Sequence, residues 1–175
     1  MRPAAVTWRS TSIFVAIGLF AASGVIPWLA NRVFHRLDAP DVWALDKPWR
    51  YRPWTVAVVL AGWGPYGRNL ATILHLTVDV AFPVAYAAAL AGLILRIAPS
   101  GSSAPLRSLA AIPIGAAVAD LAENALIIWV ANRPSHPPIL EPTLWKVSCT
   151  KWSMFLPAVA LGVFGAFRSG GVGNA

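Results

Sequence analysis

Long apolar runs, each interrupted by one or two charges, set the pattern of this chain. Four stretches, roughly Thr11–Ala30, Leu70–Leu95, Leu109–Val130 and Leu144–Phe167, stay apolar long enough to cross hydrocarbon as helices. A span of ~30 Å needs about 20 residues at ~1.5 Å per residue. The pattern predicts an all-α polytopic membrane protein, a four-helix transmembrane bundle forming a single domain over residues 1–175. The loop between the first two stretches, residues 31–69, differs from the rest. It carries a charged stretch from Asp38 to Arg52, then a shorter apolar run, Trp54–Trp63, interrupted and followed by Gly62, Gly64, Pro65 and Gly67. That run is too short to cross, which predicts an interfacial or re-entrant element acting as a lid, with a partly ordered surface loop as the alternative. The first stretch follows Arg2 and Arg9, but its apolar run is longer than that of a usual signal peptide. It is expected to remain as a helix.

The polar positions inside these stretches carry the chemistry. Asp79, Asp120, Glu123, Lys146 and Lys151 all fall within them, and a bare charge near a bilayer centre costs at least ~2.5 to 3.5 kcal/mol. Counted from the ends joined by residues 31–69 and 131–143, Asp79, Asp120, Glu123 and Lys151 share a depth of ~10–15 Å. A common depth predicts one site. Spacing agrees, because His75 and Asp79 are i and i+4, and Asp120, Glu123 and Asn124 are i, i+3 and i+4. On the fourth stretch Lys146, Thr150 and Ser153 share a face, and Lys151 lies within reach of that seam. Ala111, Gly115 and Ala119 form a strip of small residues that predicts close approach of a neighbouring backbone. Pro83 has no N–H for the carbonyl of Asp79, and Pro157 has none for Ser153, which predicts freed acceptors at the level of the site. At Lys146, near a span end, simple snorkelling is the expectation, whereas Lys151 is expected to pair with Asp120 or Glu123.

Composition narrows the class. Hydrophobic residues make up 57% and charged residues 12%, against about 25% charged in a soluble domain. The net charge of +7 comes from basic residues scattered singly or in pairs around the stretches, a pattern of lipid head-group contact rather than nucleic-acid binding. Trp28, Trp129, Trp145 and Trp152 sit at or near stretch ends, where an interfacial belt belongs. An even number of spans puts both termini on one side, expected to be the cytoplasmic face of the inner (plasma) membrane. The lone Cys149 excludes an intramolecular disulfide and is expected to be packing. There is no glycine-rich phosphate loop and no HExxH, and the three histidines (His35, His75, His136) are dispersed. No metal and no cofactor are expected.

The segments 63–69 (WGPYGRN), 78–86 (VDVAFPVAY), 119–124 (ADLAEN) and 149–152 (CTKW) together resemble a group of small four-span bacterial membrane proteins of uncharacterised activity. In that group the pattern runs Gly-Arg, then D-x-x-F-P-x-x-Y, D-x-x-E-N and T-x-x-K-W. This chain matches with Gly67-Arg68, Asp79 to Tyr86, and Asp120 to Asn124. Its last element departs, leaving either Thr150 or Ser148 as the hydroxyl that accompanies Lys151. The resemblance implies a four-span architecture with a polar site and brings no activity with it.

The function expected is binding or transformation of a lipid-like amphipathic small molecule. Asp79, Asp120, Glu123 and Lys151 are the candidate catalytic groups. Arg68, His75, Tyr86, Asn124, Thr150 and Ser148 are the candidate ligand-binding groups, with Arg68 placed to hold an anionic head group. The alternatives are a structural or assembly subunit whose buried ion pairs specify helix packing, and a proton- or cation-coupled transport subunit. The partner expected is a membrane lipid or similar amphiphile, and under the alternatives a homo-oligomer or partner membrane protein.

Overall fold

A computed structural model gives the fold and describes residues 25, 28–36, 40–41, 43–49, 52, 56–97, 108–133 and 139–170. Most of the first apolar stretch (Thr11–Ala30) and the linker 98–107 lie outside the described residues. Among the described residues the chain is all-helical. Four long helices follow a helical segment at 28–36: α1 (Val56–Leu76), α2 (Val78–Ile97), α3 (Ala111–Asn132) and α4 (Leu140–Gly170).

Among the described residues, three apolar helical runs are long enough to cross a membrane: Val56–Leu95, Ala111–Asn132 and Leu140–Phe164. The first has 40 residues, which would reach ~60 Å if straight. It is broken twice. Gly64 takes φ 59° and ψ −176°, a region open essentially to glycine alone. Pro65 follows, where a missing N–H is tolerated at the start of a helix. The break separates a short leading helix, 56–63, from the rest of α1. A turn at Thr77 then divides α1 from α2. The apolar run expected as a lid element is therefore this leading helix. The helix that carries the expected second stretch begins at Pro65, ahead of Leu70, after the break at Gly64.

α3 is the central helix and touches the other three, α4 most extensively. Gly115 permits that approach, since a Cβ there would lie 2.9 Å from the Met154 methyl of α4. The surface distribution is inverted relative to a soluble bundle. Val80, Val84, Ile114, Val118, Leu156 and Phe164 point outward, while His75, Asp79, Asp120, Glu123, Asn124, Ser148 and Lys151 are buried. Lipid as solvent gives this arrangement a physical reason.

Two apolar clusters bracket the buried polar residues. One joins Phe34, Leu45, Val56, Trp63, Ala71, Ile127 and Leu144; the other joins Tyr86, Ala87, Ala116 and Ala117, with Phe82, Met154 and Phe155 packed against it. Along every helix the polar positions fall between the two: 75 and 79 between Ala71 and Tyr86, 120–124 between Ala117 and Ile127, 148 and 151 between Leu144 and Met154. The site is a polar layer sealed above and below by hydrocarbon side chains.

Candidate functional site

Lys151 is the hub of the layer. Its Nζ lies 3.0 Å from Asp46 Oδ1 and 3.3 Å from Asp120 Oδ1, and pairs with Glu123 Oε2. Glu123 accepts from the Ser148 hydroxyl through its other oxygen. Tyr86 donates to Asp120 Oδ2 at 3.2 Å. Leu144, Ser148 and Lys151 are all buried, and their i, i+4, i+7 spacing makes them the inward face of α4.

The seam expected to carry this face turns outward. Lys146, Thr150 and Ser153 are exposed. Thr150 donates to the carbonyl of Lys146 and Ser153 to that of Thr150, the local back-bonding that satisfies helix hydroxyls without a partner helix. The hydroxyl that accompanies Lys151 is thus Ser148.

A second group is built around a proline. Pro83 leaves the Asp79 carbonyl without its helical donor, and Asn124 Nδ2 supplies one from α3 at 2.7 Å. A carbonyl only accepts, so this bond fixes the orientation of the amide. Asn124 Oδ1 then faces His75 Nδ1 at 3.2 Å, and Asp79 Oδ2 faces the same nitrogen at 2.8 Å. With acceptors on both sides, Nδ1 carries the proton. The other ring nitrogen of His75 is buried without a partner among the described residues.

Asp46, which sequence reasoning did not single out, closes the layer from the loop. It ends a short 3₁₀ turn, Ala44–Asp46, within a strap over residues 43–49. Indole N–H groups on α4 hold the strap's backbone: Trp152 donates to the Asp46 carbonyl at 2.9 Å and Trp145 to that of Pro48 at 3.2 Å. Ser148 also reaches the Leu45 carbonyl at 3.4 Å. Trp63 anchors the chain just before the strap through the Pro40 carbonyl at 3.1 Å. Burial pushes the Asp46 carboxyl up, but the nearby Lys151 ammonium and His75 outweigh it and hold the group below the ordinary carboxylate value. The part of the loop that covers the site is therefore the charged stretch. The leading helix of α1 contributes to the apolar cluster beside it instead.

A cavity of about 230 Å³ opens beneath the strap. Asp46, Asp79, Asp120 and Lys151 face it, with Trp43, Phe82, Tyr86, Trp152 and Phe155 as aromatic wall. The rings form an edge-to-face chain, Phe82 to Tyr86 at 5.2 Å, Tyr86 to Phe155 at 4.9 Å and Phe155 to Trp152 at 5.6 Å. Trp43 is buried, and its indole N–H has no partner among the described residues. Carboxylate oxygens of Asp46, Asp79 and Asp120 lie within 4.8 Å of one another. A metal ion there would have to compete with the Lys151 ammonium, which already contacts two of the three.

Of the expected site residues, Asp79, Asp120, Lys151 and Tyr86 line this cavity, whereas Glu123, Ser148, His75 and Asn124 stand behind it as buried supports. Arg68 lies on α1 outside the cavity wall, and Thr150 faces away. Neither is placed to touch a ligand in this cavity. Comparison with family models, with curated proteins and with solved structures gives no match.

Proposed function

We propose that this chain is a multi-pass membrane protein of four spans that binds a lipid-like amphiphile in the cavity beneath the strap. The observation that carries the reading is a polar floor and an aromatic wall meeting in one cavity at the level of a sealed ionic layer. Buried ion networks seldom add stability over apolar packing. Four carboxylates gathered around one lysine and one histidine are therefore better accounted for by a ligand than by packing alone. Aromatic rings beside charged groups match an amphiphile, whose head needs polar partners and whose chain needs apolar ones. The resemblance to small four-span bacterial membrane proteins is part of this proposal, as is residence in the inner membrane.

A second reading, an architectural subunit, is favoured by the completeness of the Lys151 contacts to Asp46, Asp120 and Glu123. Wild type and Asp120→Asn, purified in mild detergent, separate the two by native mass spectrometry. A specific amphiphile carried by wild type and lost from an equally well-folded variant supports the binding site. Nothing bound in either protein, with the variant markedly less stable, makes the network architectural.

A further inference from the structure

Acidic groups outnumber basic ones around the cavity. Asp46, Asp79 and Asp120 line it, and Glu123 stands directly behind on the same lysine. Against these stand Lys151 and, behind Asp79, His75; Lys47 also lines the cavity but is 3.6 Å from Asp41, which compensates it outside. Asp79 bonds His75 through one carboxylate oxygen, Oδ2. Asp79 is 7% exposed, so it is a buried acceptor on the cavity surface. An anionic head group would add to the excess charge. A cationic one would relieve it.

The walls match the same chemistry. Five aromatic residues share the cavity lining with the carboxylates, and a cation near an aromatic face gains roughly 0.5 to 2 kcal/mol, about a 2- to 30-fold gain in affinity. Lys151 already uses this device, with its Nζ 5.7 Å from the Trp152 ring centroid. Trp43 lines the cavity with a buried, unpartnered indole N–H. That donor fits an oxygen acceptor carried next to the cation. The volume, about 230 Å³, falls below the ~300 Å³ at which pockets begin to hold whole drug-sized molecules. It suits a head group whose chain lies elsewhere.

We infer that the ligand is an amphiphile with an amine or quaternary ammonium head, held by Asp79 and Asp120 inside the ring of Trp43, Phe82, Tyr86, Trp152 and Phe155. This rests on the reading of the cavity as an amphiphile site and adds the sign of the head group. Asp79 is the principal counter-ion, because Lys151 already engages Asp46, Asp120 and Glu123. Arg68, the residue expected to hold an anionic head, is not in the cavity wall.

The test uses full-length protein in dodecyl maltoside and four probes with the same fourteen-carbon chain. Their heads are trimethylammonium, primary ammonium, sulfate and hydroxyl. Binding is read as the shift in thermal unfolding midpoint and as occupancy by native mass spectrometry. At least one cationic probe is expected to half-saturate at a concentration about tenfold or more below the sulfate and hydroxyl probes. Asp79→Asn is expected to erase most of that preference. Phe82→Leu, which leaves every charge in place, is expected to weaken the cationic probe about threefold more than the hydroxyl probe. Equal binding of cationic and hydroxyl probes overturns the head-group assignment and leaves the amphiphile site standing. Tighter binding of sulfate overturns the assignment as well. If none of the four binds to folded wild type, the amphiphile site itself falls.

Discussion

Pro83 and Asn124 lie on different helices, 41 positions apart in number, yet each makes sense only through the other. Pro83 removes the donor that the Asp79 carbonyl would have had, and Asn124 replaces it at 2.7 Å. Substituting Asn124→Leu preserves approximate shape and deletes two bonds, to the Asp79 carbonyl and to His75 at 3.2 Å. Side-chain hydrogen bonds in membrane bundles average ~0.6 kcal/mol and reach ~1.7, so two of them set the cost at about 1 to 3 kcal/mol. Pro83→Ala restores an N–H within reach of the same carbonyl. In that background the carbonyl keeps a partner when Asn124 is lost, and the cost of Asn124→Leu should fall by about 1 kcal/mol. The packing lost at Pro83, a fully buried ring, cancels in the double-mutant cycle. Unfolding of the four proteins in mixed micelles, titrated with a denaturing detergent and followed by circular dichroism, gives the coupling energy. Additivity within ~0.3 to 0.5 kcal/mol would mean the two residues act independently. The account of the Asp79 carbonyl would then be wrong.

Two further outcomes are expected. Gly64→Ala should destabilise by roughly 1 to 3 kcal/mol from backbone strain alone, since a Cβ there meets nothing within 4 Å; a loss below ~0.5 kcal/mol in the same titration would show that the break tolerates other residues. Asp46 is held below the ordinary carboxylate value, so its ionised form favours the latched strap above that value, and the contribution is lost as pH falls through the lowered one. Hydrogen exchange across residues 43–49, corrected for intrinsic rates, should therefore stay slow at neutral pH and quicken only below about pH 4, with Asp46→Asn fast throughout. Slow exchange in Asp46→Asn at neutral pH would remove the latch from the carboxylate.

Much of the ionic layer is legible in the linear pattern because a helix repeats. His75 with Asp79, and Asp120 with Glu123 and Asn124, are neighbours at spacings that the 3.6-residue turn dictates, and all five are buried together. Misreading α4 has the same root. Lys146, Thr150 and Ser153 also share a face, and hydroxyls on a helix look alike whether they serve a partner or their own backbone. The series Leu144, Ser148 and Lys151 was equally visible, and its leading leucine is the signal that it faces inward. Asp46 had no such signal. It meets Lys151 across 105 residues from an irregular strap, and long-range pairing leaves no period in either segment. The bend in α1 was half legible: glycines and Pro65 mark a break, but only the positive φ at Gly64 shows which residue turns.

Every acid of the layer precedes Lys151 in the chain. Asp46 leaves the ribosome 105 residues ahead of Lys151, which at ~5 to 20 residues per second is a wait of roughly 5 to 20 seconds. Until then Asp46, Asp79, Asp120 and Glu123 lack Lys151, and the indoles of Trp145 and Trp152 that fasten the strap do not yet exist. α4 thus brings the Lys151 counter-charge and the fastening in one step. Until α4 arrives the acids gain by staying near water; once it arrives they gain by leaving it. The order of the residues makes closure of the ionic layer wait for α4.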